Sequence, residues 1–238
     1  MSAARVVTSA LAAVAVARLG DAFAGAADPD RAPAMAAYMR DQFDFFGIPT
    51  PLQRRLAATA LRDLPTPEEG DVVAFTTACW AAPQREFQYA GCDYAIRHVR
   101  RCTDRFLGHT RMLLTTKSWW DTVDALAANL VGPLVWANPP LVAVMDEWID
   151  DGDHWLVRTA ILHQLHAKER TDTDRLFDYC ARRAGEREFF VRKAIGWALR
   201  EHSKTDAAAV QQFVATHPEL SPLSAREALK WLRRKDRA

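Results

Sequence analysis

Trp155-Leu156-Val157-Arg158-Thr159-Ala160-Ile161 returns 34 positions later as Phe189-Phe190-Val191-Arg192-Lys193-Ala194-Ile195. Ring, apolar pair, arginine, polar residue, alanine and isoleucine recur in the same order. A second echo lies three such periods apart, where Arg85-Glu86-Phe87 comes back as Arg187-Glu188-Phe189. A period near 34 is the length of one helical hairpin in a solenoid of helix pairs, each pair burying its apolar face on the next. The rest of the chain agrees. Helical periodicity is broken by Pro49, Pro51, Pro65, Pro67, Pro83, Pro133, Pro139, Pro140 and Pro218, and no segment longer than a few residues alternates as a strand does. The expectation is an all-α, right-handed solenoid of helical hairpins, C-shaped, forming one domain over residues 1–238.

The phase of the repeat adds a row of polar residues. Stepping back by 34 from Arg192 reaches Arg158, then Asp124, so the three occupy one position on successive inner helices. Polar residues also accumulate wherever a helix faces solvent, but here the neighbours are mostly apolar and one acid stands with two arginines. Asp124 ends the string Lys117-Ser118-Trp119-Trp120-Asp121-Thr122-Val123-Asp124. Four residues apart, Trp120 and Asp124 share a helix face, an aromatic plane beside an anion, which suits a flat cationic substrate. Ser118 and Asp121 have the spacing of a capping box, which gives Asp121 a structural task at the helix start. Asp124 is left without one. Arg158 and Arg192 can grip phosphates, and Arg200 and Lys204 lie one turn apart on a face that also carries Trp197. Basic and aromatic side chains so interleaved suit nucleic acid, with a basic concave face as the expectation.

Composition sets bounds. The chain has 238 residues, 49% of them hydrophobic, enough for a sizeable core, and no run of 18 apolar residues suggests a membrane span. Net charge is only +1, but the charges are segregated. Residues 182–204 and the tail from Arg226 are each strongly basic, whereas Asp146, Glu147, Asp150, Asp151 and Asp153 form an acidic block. One surface facing a polyanion and another facing water would give this pattern, as would ordinary solvated helix faces. Cys79, Cys92, Cys102 and Cys180 lack C-x-x-C spacing and read as free thiols buried in a reducing cytoplasm. His163 and His166 have no clustered partners and read as surface or core histidines rather than metal ligands. The apolar run Val6–Ala17 after Arg5, with Ala22-Phe23-Ala24 beyond it, has elements of a secretory signal. Arg18 and Asp21 interrupt that pattern, and the run continues as an amphipathic first helix.

Several strings together resemble the DNA alkylation repair family of HEAT-like repeat glycosylases, the AlkD type. They are Met35 to Arg40, Gly47-Ile48-Pro49-Thr50-Pro51, Arg85-Glu86-Phe87-Gln88, Thr116 to Asp124, Trp155 to Leu165, Glu188 to Glu201, and Pro222 to Glu227. They spread over nearly the whole chain in family order. The most specific are Lys-Ser-Trp-Trp-Asp-x-Val-Asp and Lys-Ala-Ile-Gly-Trp-x-Leu-Arg-Glu. The resemblance implies a monofunctional glycosylase that excises cationic N3- and N7-alkylated purines from double-stranded DNA. The further expectations are a cytoplasmic monomer, with no cofactor, metal or membrane. The resemblance also implies the site: Asp124 as catalytic carboxylate, Trp120, Trp197 and Tyr38 around the lesion, Arg158 beside them, and Thr50, Arg192, Arg200 and Lys204 toward the DNA backbone. Thr122, where the family has a serine, and the alanine-rich first helix are departures that leave this chemistry untouched. A non-catalytic helical-repeat scaffold for DNA structures or protein partners is the competing class, and the presence of Asp124, Trp120 and Trp197 together argues for the enzyme.

Overall fold

The computed structural model describes residues 9–235, and every regular element among them is helical apart from a one-residue bridge between Asp44 and Gln84. Packing divides the chain into two compact units, with the boundary between Lys117 and Ser118. In each, helices pack on their near neighbours in sequence, as in an α-solenoid of helical repeats. Among the described residues, no helix is long and apolar enough to cross a membrane.

The first unit contains α1 (Ala10–Ala24), α2 (Ala32–Tyr38), α3 (Thr50–Ala60), α4 (Glu69–Ala81), α5 (Arg85–His98) and α6 (Phe106–Thr115). Ser9 caps α1, its hydroxyl accepting the Ala12 amide and donating to Asp71 at 2.6 Å. Ala12, Ala15, Leu19 and Phe23 form the buried stripe of α1, and Phe23 meets Phe87 edge-on at 5.5 Å. Most of the apolar run is therefore core helix, while Arg5 and Val6–Thr8 lie outside the described residues.

The Arg85-Glu86-Phe87 string is a clamp. Arg85 is fully buried, its guanidinium 3.8 Å over the Phe43 ring and its Nη1 donating to the Lys117 carbonyl at 2.8 Å. The Glu86 carboxylate collects the amides of Phe46, Gly47 and Ile48 at 3.0–3.1 Å. Gly47 has φ +88°, and a β-carbon there would lie 2.1 Å from the Asp28 carbonyl oxygen, so only glycine fits. This fixes the loop that delivers Thr50 to the start of α3. The later copy of the string does something else. Glu188 caps α12, Arg187 is exposed and Phe189 is half-exposed.

The second unit contains α7 (Trp120–Leu126), α8 (Gly132–Ala137), α9 (Val142–Trp148), α10 (His154–Leu162), α11 (Thr173–Arg182), α12 (Phe189–His202), α13 (Ala207–Thr216), α14 (Pro222–Ala228) and α15 (Lys230–Lys235). Asp153, Asp172 and Asp206 cap α10, α11 and α13. α10 packs against α7 and α12, and α12 against α14. α7 runs into α8 through a π-helical stretch, Ala127–Val131. Pro133 follows it, and a proline lacks the amide for the regular ladder while its ring strikes the carbonyl four residues back, which favours a widened turn.

The charge pattern resolves differently from the sequence expectation. The acidic block and the basic side chains Arg182 and Arg183 do not occupy separate surfaces. Arg182 pairs with Asp150, Arg183 donates to the carbonyls of Ile149 and Asp151, and Arg175 and Tyr179 both reach Asp146. These partners are 29–34 residues apart, so the repeat itself brings acid and base together on neighbouring helices. Asp236 and Arg237 of the basic tail lie outside the described residues.

Candidate active site

α7 opens at Trp120, with the extended residue Trp119 (φ −157°, ψ 161°) at its N-cap, one residue later than a box headed by Ser118 would place it. Asp121 sits in the first turn, where its carboxylate accepts the Thr122 amide at 2.9 Å. The adjacent tryptophans part company. Trp119 enters an aromatic cluster with Phe190 (5.1 Å) and Trp155 (6.0 Å), which themselves pack at 4.8 Å. Burial of Thr122, Val123 and Leu126 sets the rotation of α7, leaving Trp120 and Asp124 both half-buried, one turn apart.

Asp124 meets Arg158 of α10 in a bidentate pair. Nε donates to Oδ1 at 2.6 Å and Nη2 to Oδ2 at 2.8 Å. The third nitrogen, Nη1, donates to the Phe190 carbonyl at the start of α12. The Asp124 side chain remains 16% exposed against 5% for Arg158, so the arginine is enclosed and the carboxylate keeps an edge open. Burial pushes the Asp124 carboxyl above the usual aspartate range of 3.8, the hydrogen bonds and charge of Arg158 pull it back, and Asp121 adds a further upward push. With both oxygens accepting from a guanidinium, the pair is a carboxylate against a permanent cation. Phosphate gripping was among the sequence expectations for Arg158. In the structure its guanidinium donates to Asp124 and to the Phe190 carbonyl.

The remaining residues fall in two groups. On α12, Arg192 is half-buried, its carbonyl accepting from Ser224 and its Nε buried without a hydrogen-bond partner. Trp197 is half-buried on the same helix. Arg200 donates to Glu227 at 2.7 Å, Lys193 approaches the same carboxylate at 3.3 Å, and Lys204 pairs with Glu201 at 2.6 Å. Burial would raise the Glu227 carboxyl, but Lys193, Lys230 and Arg200 outweigh it and hold it below 4.5. Tyr38 and Thr50 belong to the first unit, Tyr38 72% exposed at the end of α2 and Thr50 exposed at the start of α3.

Sequence reasoning missed Phe190, Trp155 and Glu227. The ring-containing repeat could have flagged the first two. No spacing singles out Glu227, which reaches Arg200 because α14 folds onto α12. Among the described residues, no group of three or more His, Cys, Asp and Glu side chains could hold a metal ion. Of the histidines, His163 is core and His166 is exposed. Cys79, Cys92 and Cys180 are buried, and Cys102 is half-buried, its thiol pushed up to about 11 by burial and by Glu69.

Fold and site together define a helical-repeat protein in which one helix offers a guanidinium-clamped carboxylate and a tryptophan along the same face. Residues 19–232 match the family described as DNA alkylation repair enzyme, and the chain belongs to that family. A solved structure described as "Predicted DNA alkylation repair enzyme from Enterococcus faecalis" matches with a TM-score of 0.79 and 31% identity, over 87% of this chain and 96% of that one. Among curated proteins, none matches.

Proposed function

We propose that the chain is a monofunctional DNA glycosylase acting on cationic N3- and N7-alkylated purines in duplex DNA, with Asp124 as the catalytic carboxylate. The observation that carries this reading is the Asp124–Arg158 pair, a carboxylate held by two hydrogen bonds and mostly buried, with one edge open. A purine alkylated at N3 or N7 is already positively charged, so its departure needs no protonation. As the C1′–N bond breaks, the electron pair leaves with the base and neutralises it, and positive charge develops on the sugar. Asp124 stabilises that charge and orients a water, whose oxygen forms the new bond to C1′ while its proton passes to the carboxylate or to solvent. Arg158 is a positioning residue, fixing the carboxylate so that no reorganisation is needed as charge develops. Trp120, Trp197 and Tyr38 offer ring faces to a cationic base. Thr50, Arg192, Arg200 and Lys204 serve the DNA backbone, the last two trading their carboxylate partners for phosphate.

The test is single-turnover release of 7-methylguanine from methylated duplex by two variants side by side. Asp124→Asn keeps the shape but removes the charge, and its rate should drop by ~10²–10³ with DNA affinity retained. Asp121→Asn should keep most of its activity per folded molecule. A fully active Asp124→Asn enzyme would refute the proposal.

A further inference from the structure

The first unit holds a cavity of about 480 Å³ that the glycosylase reading does not use. It lies between the C-terminal halves of α3 and α5, under the loop that joins α3 to α4. Three arginines from separate places in the sequence converge on it: Arg54 from α3, Arg62 from the loop and Arg97 from α5. Asp93 is the one acid in its lining, and it is engaged by Arg54 at 3.0 Å. Among the described residues, Arg62 and Arg97 have no carboxylate partner, and both are exposed. Arg100, Arg101 and Arg105 follow closely after α5, against Asp104 alone. Leu61, Leu64, Pro65 and Tyr94 add apolar lining, and the Tyr94 ring packs tilted against Phe75 at 4.3 Å and His98 at 4.6 Å.

A cavity of this size, lined by apolar side chains and three arginines, has the dimensions of a small-molecule site. Guanidinium groups recognise phosphate by paired hydrogen bonds, and two that lack an anion leave an excess of positive charge for a ligand to satisfy. The apolar lining asks for a flat body beside that anion. His98 lines the same space, and burial, then Arg97 and Arg101, hold its imidazole below its ordinary 6.5.

We propose that this cavity binds a phosphate monoester carried on a flat, partly apolar body, in chemical class a nucleotide. Two sources share that chemistry, a free mononucleotide and the 5′-phosphorylated end of a nucleic-acid strand. The site is independent of Asp124 and of the reaction proposed for it.

The experiment is calorimetric titration of the full chain at low salt with AMP, adenosine, inorganic phosphate, and short oligonucleotides bearing a 5′-phosphate or a 5′-hydroxyl. AMP should bind, inorganic phosphate more weakly, and adenosine not measurably. Arg62→Gln/Arg97→Gln changes only exposed side chains and should weaken AMP binding by about tenfold or more, the size expected for losing charge-assisted hydrogen bonds. In the wild-type chain, AMP should raise the His98 pKa followed by NMR, because a dianion nearby favours imidazolium. Tighter binding of the 5′-phosphorylated than of the 5′-hydroxyl strand, lost in the double variant, assigns the site to a strand end, and AMP binding with the two strands alike assigns it to a free nucleotide. The proposal is overturned if neither AMP nor a 5′-phosphorylated end binds at millimolar concentration, or if the double variant binds them as the wild type does. Base release by the double variant, measured in parallel, keeps this outcome separate from the glycosylase test.

Discussion

At Asp124, burial and pairing pull in opposite directions, and the residue's titration reports the balance. Its carboxyl is raised above 3.8, with burial the largest cause and Asp121 a contributor. A carboxyl with a folded pKa above its unfolded value adds stability below the unfolded pKa and loses it as pH rises through the folded pKa, so ionised Asp124 costs stability at neutral pH. Such a cost is common where a charge is kept for chemistry. Because the ionised form is the active one, base release should fall on acidification while the pH is still above the ordinary aspartate range. Asp121→Asn removes one of the upward pushes, so its acidic limb should move to lower pH with the plateau rate kept. Single-turnover rates across pH for wild type and Asp121→Asn decide this. An unmoved limb would leave Asp121 with a structural role alone. The sequence separated the two aspartates by elimination, since the box spacing gave Asp121 a structural task, although the helix in fact starts at Trp120.

The elements that hold this residue depend on close backbone approach. Gly132, after the π-helical stretch, lies so near the end of α10 that a β-carbon would sit 2.3 Å from the His163 carbonyl oxygen. Since α10 carries Arg158, that contact sets how α7 and α10 meet. Gly132→Ala gains about 1 kcal/mol of helix propensity but forces two backbones apart, at a cost of about 3 kcal/mol. A net loss of about 2 kcal/mol should lower Tm by roughly 4–8 °C. Gly108 in α6 has nothing within 4 Å of its added β-carbon, so Gly108→Ala should raise stability by about 0.5–1 kcal/mol. Thermal unfolding of the two variants tests the opposite signs. Neither environment is legible in the sequence, where both positions are glycines in helical segments.

Across the whole molecule, acid stability should be governed by buried neutral imidazoles. His163 is enclosed, its Nδ1 2.7 Å from the Ala160 carbonyl, and burial lowers it to about 4. His109, whose Nε2 lies 2.8 Å from the Thr76 hydroxyl, is lowered to about 4 by the same cause. A histidine with a depressed folded pKa stays neutral in the native state while the unfolded chain takes up its proton. Stability is therefore lost as pH falls from about 6.5 toward 4. For His163 the loss should reach on the order of 3 kcal/mol by pH 4. Denaturant titrations at pH 7 and pH 4.5 should differ markedly for the wild type and less for His163→Gln, which keeps the His109 contribution.

By itself the sequence determined the helical class, the 34-residue period and the candidate carboxylate. Periodicity and spacing are local properties, and the period carries Asp124 onto Arg158 in the folded chain. Helix packing also brings Asp146 and Asp150 of the acidic block onto Arg175 and Arg182, although the charges in sequence looked segregated. Tertiary structure alone decided what each charge does. Arg158 spends its guanidinium on one carboxylate and one carbonyl, Arg85 is wholly buried, and Arg200 is held by Glu227. Arg54, Arg62 and Arg97 gather at one cavity from three separate segments. An arginine's place in the sequence shows that a positive charge exists. Whether that charge is clamped, paired or open to an anion depends on which helices pack beside it, and that is a property of the fold.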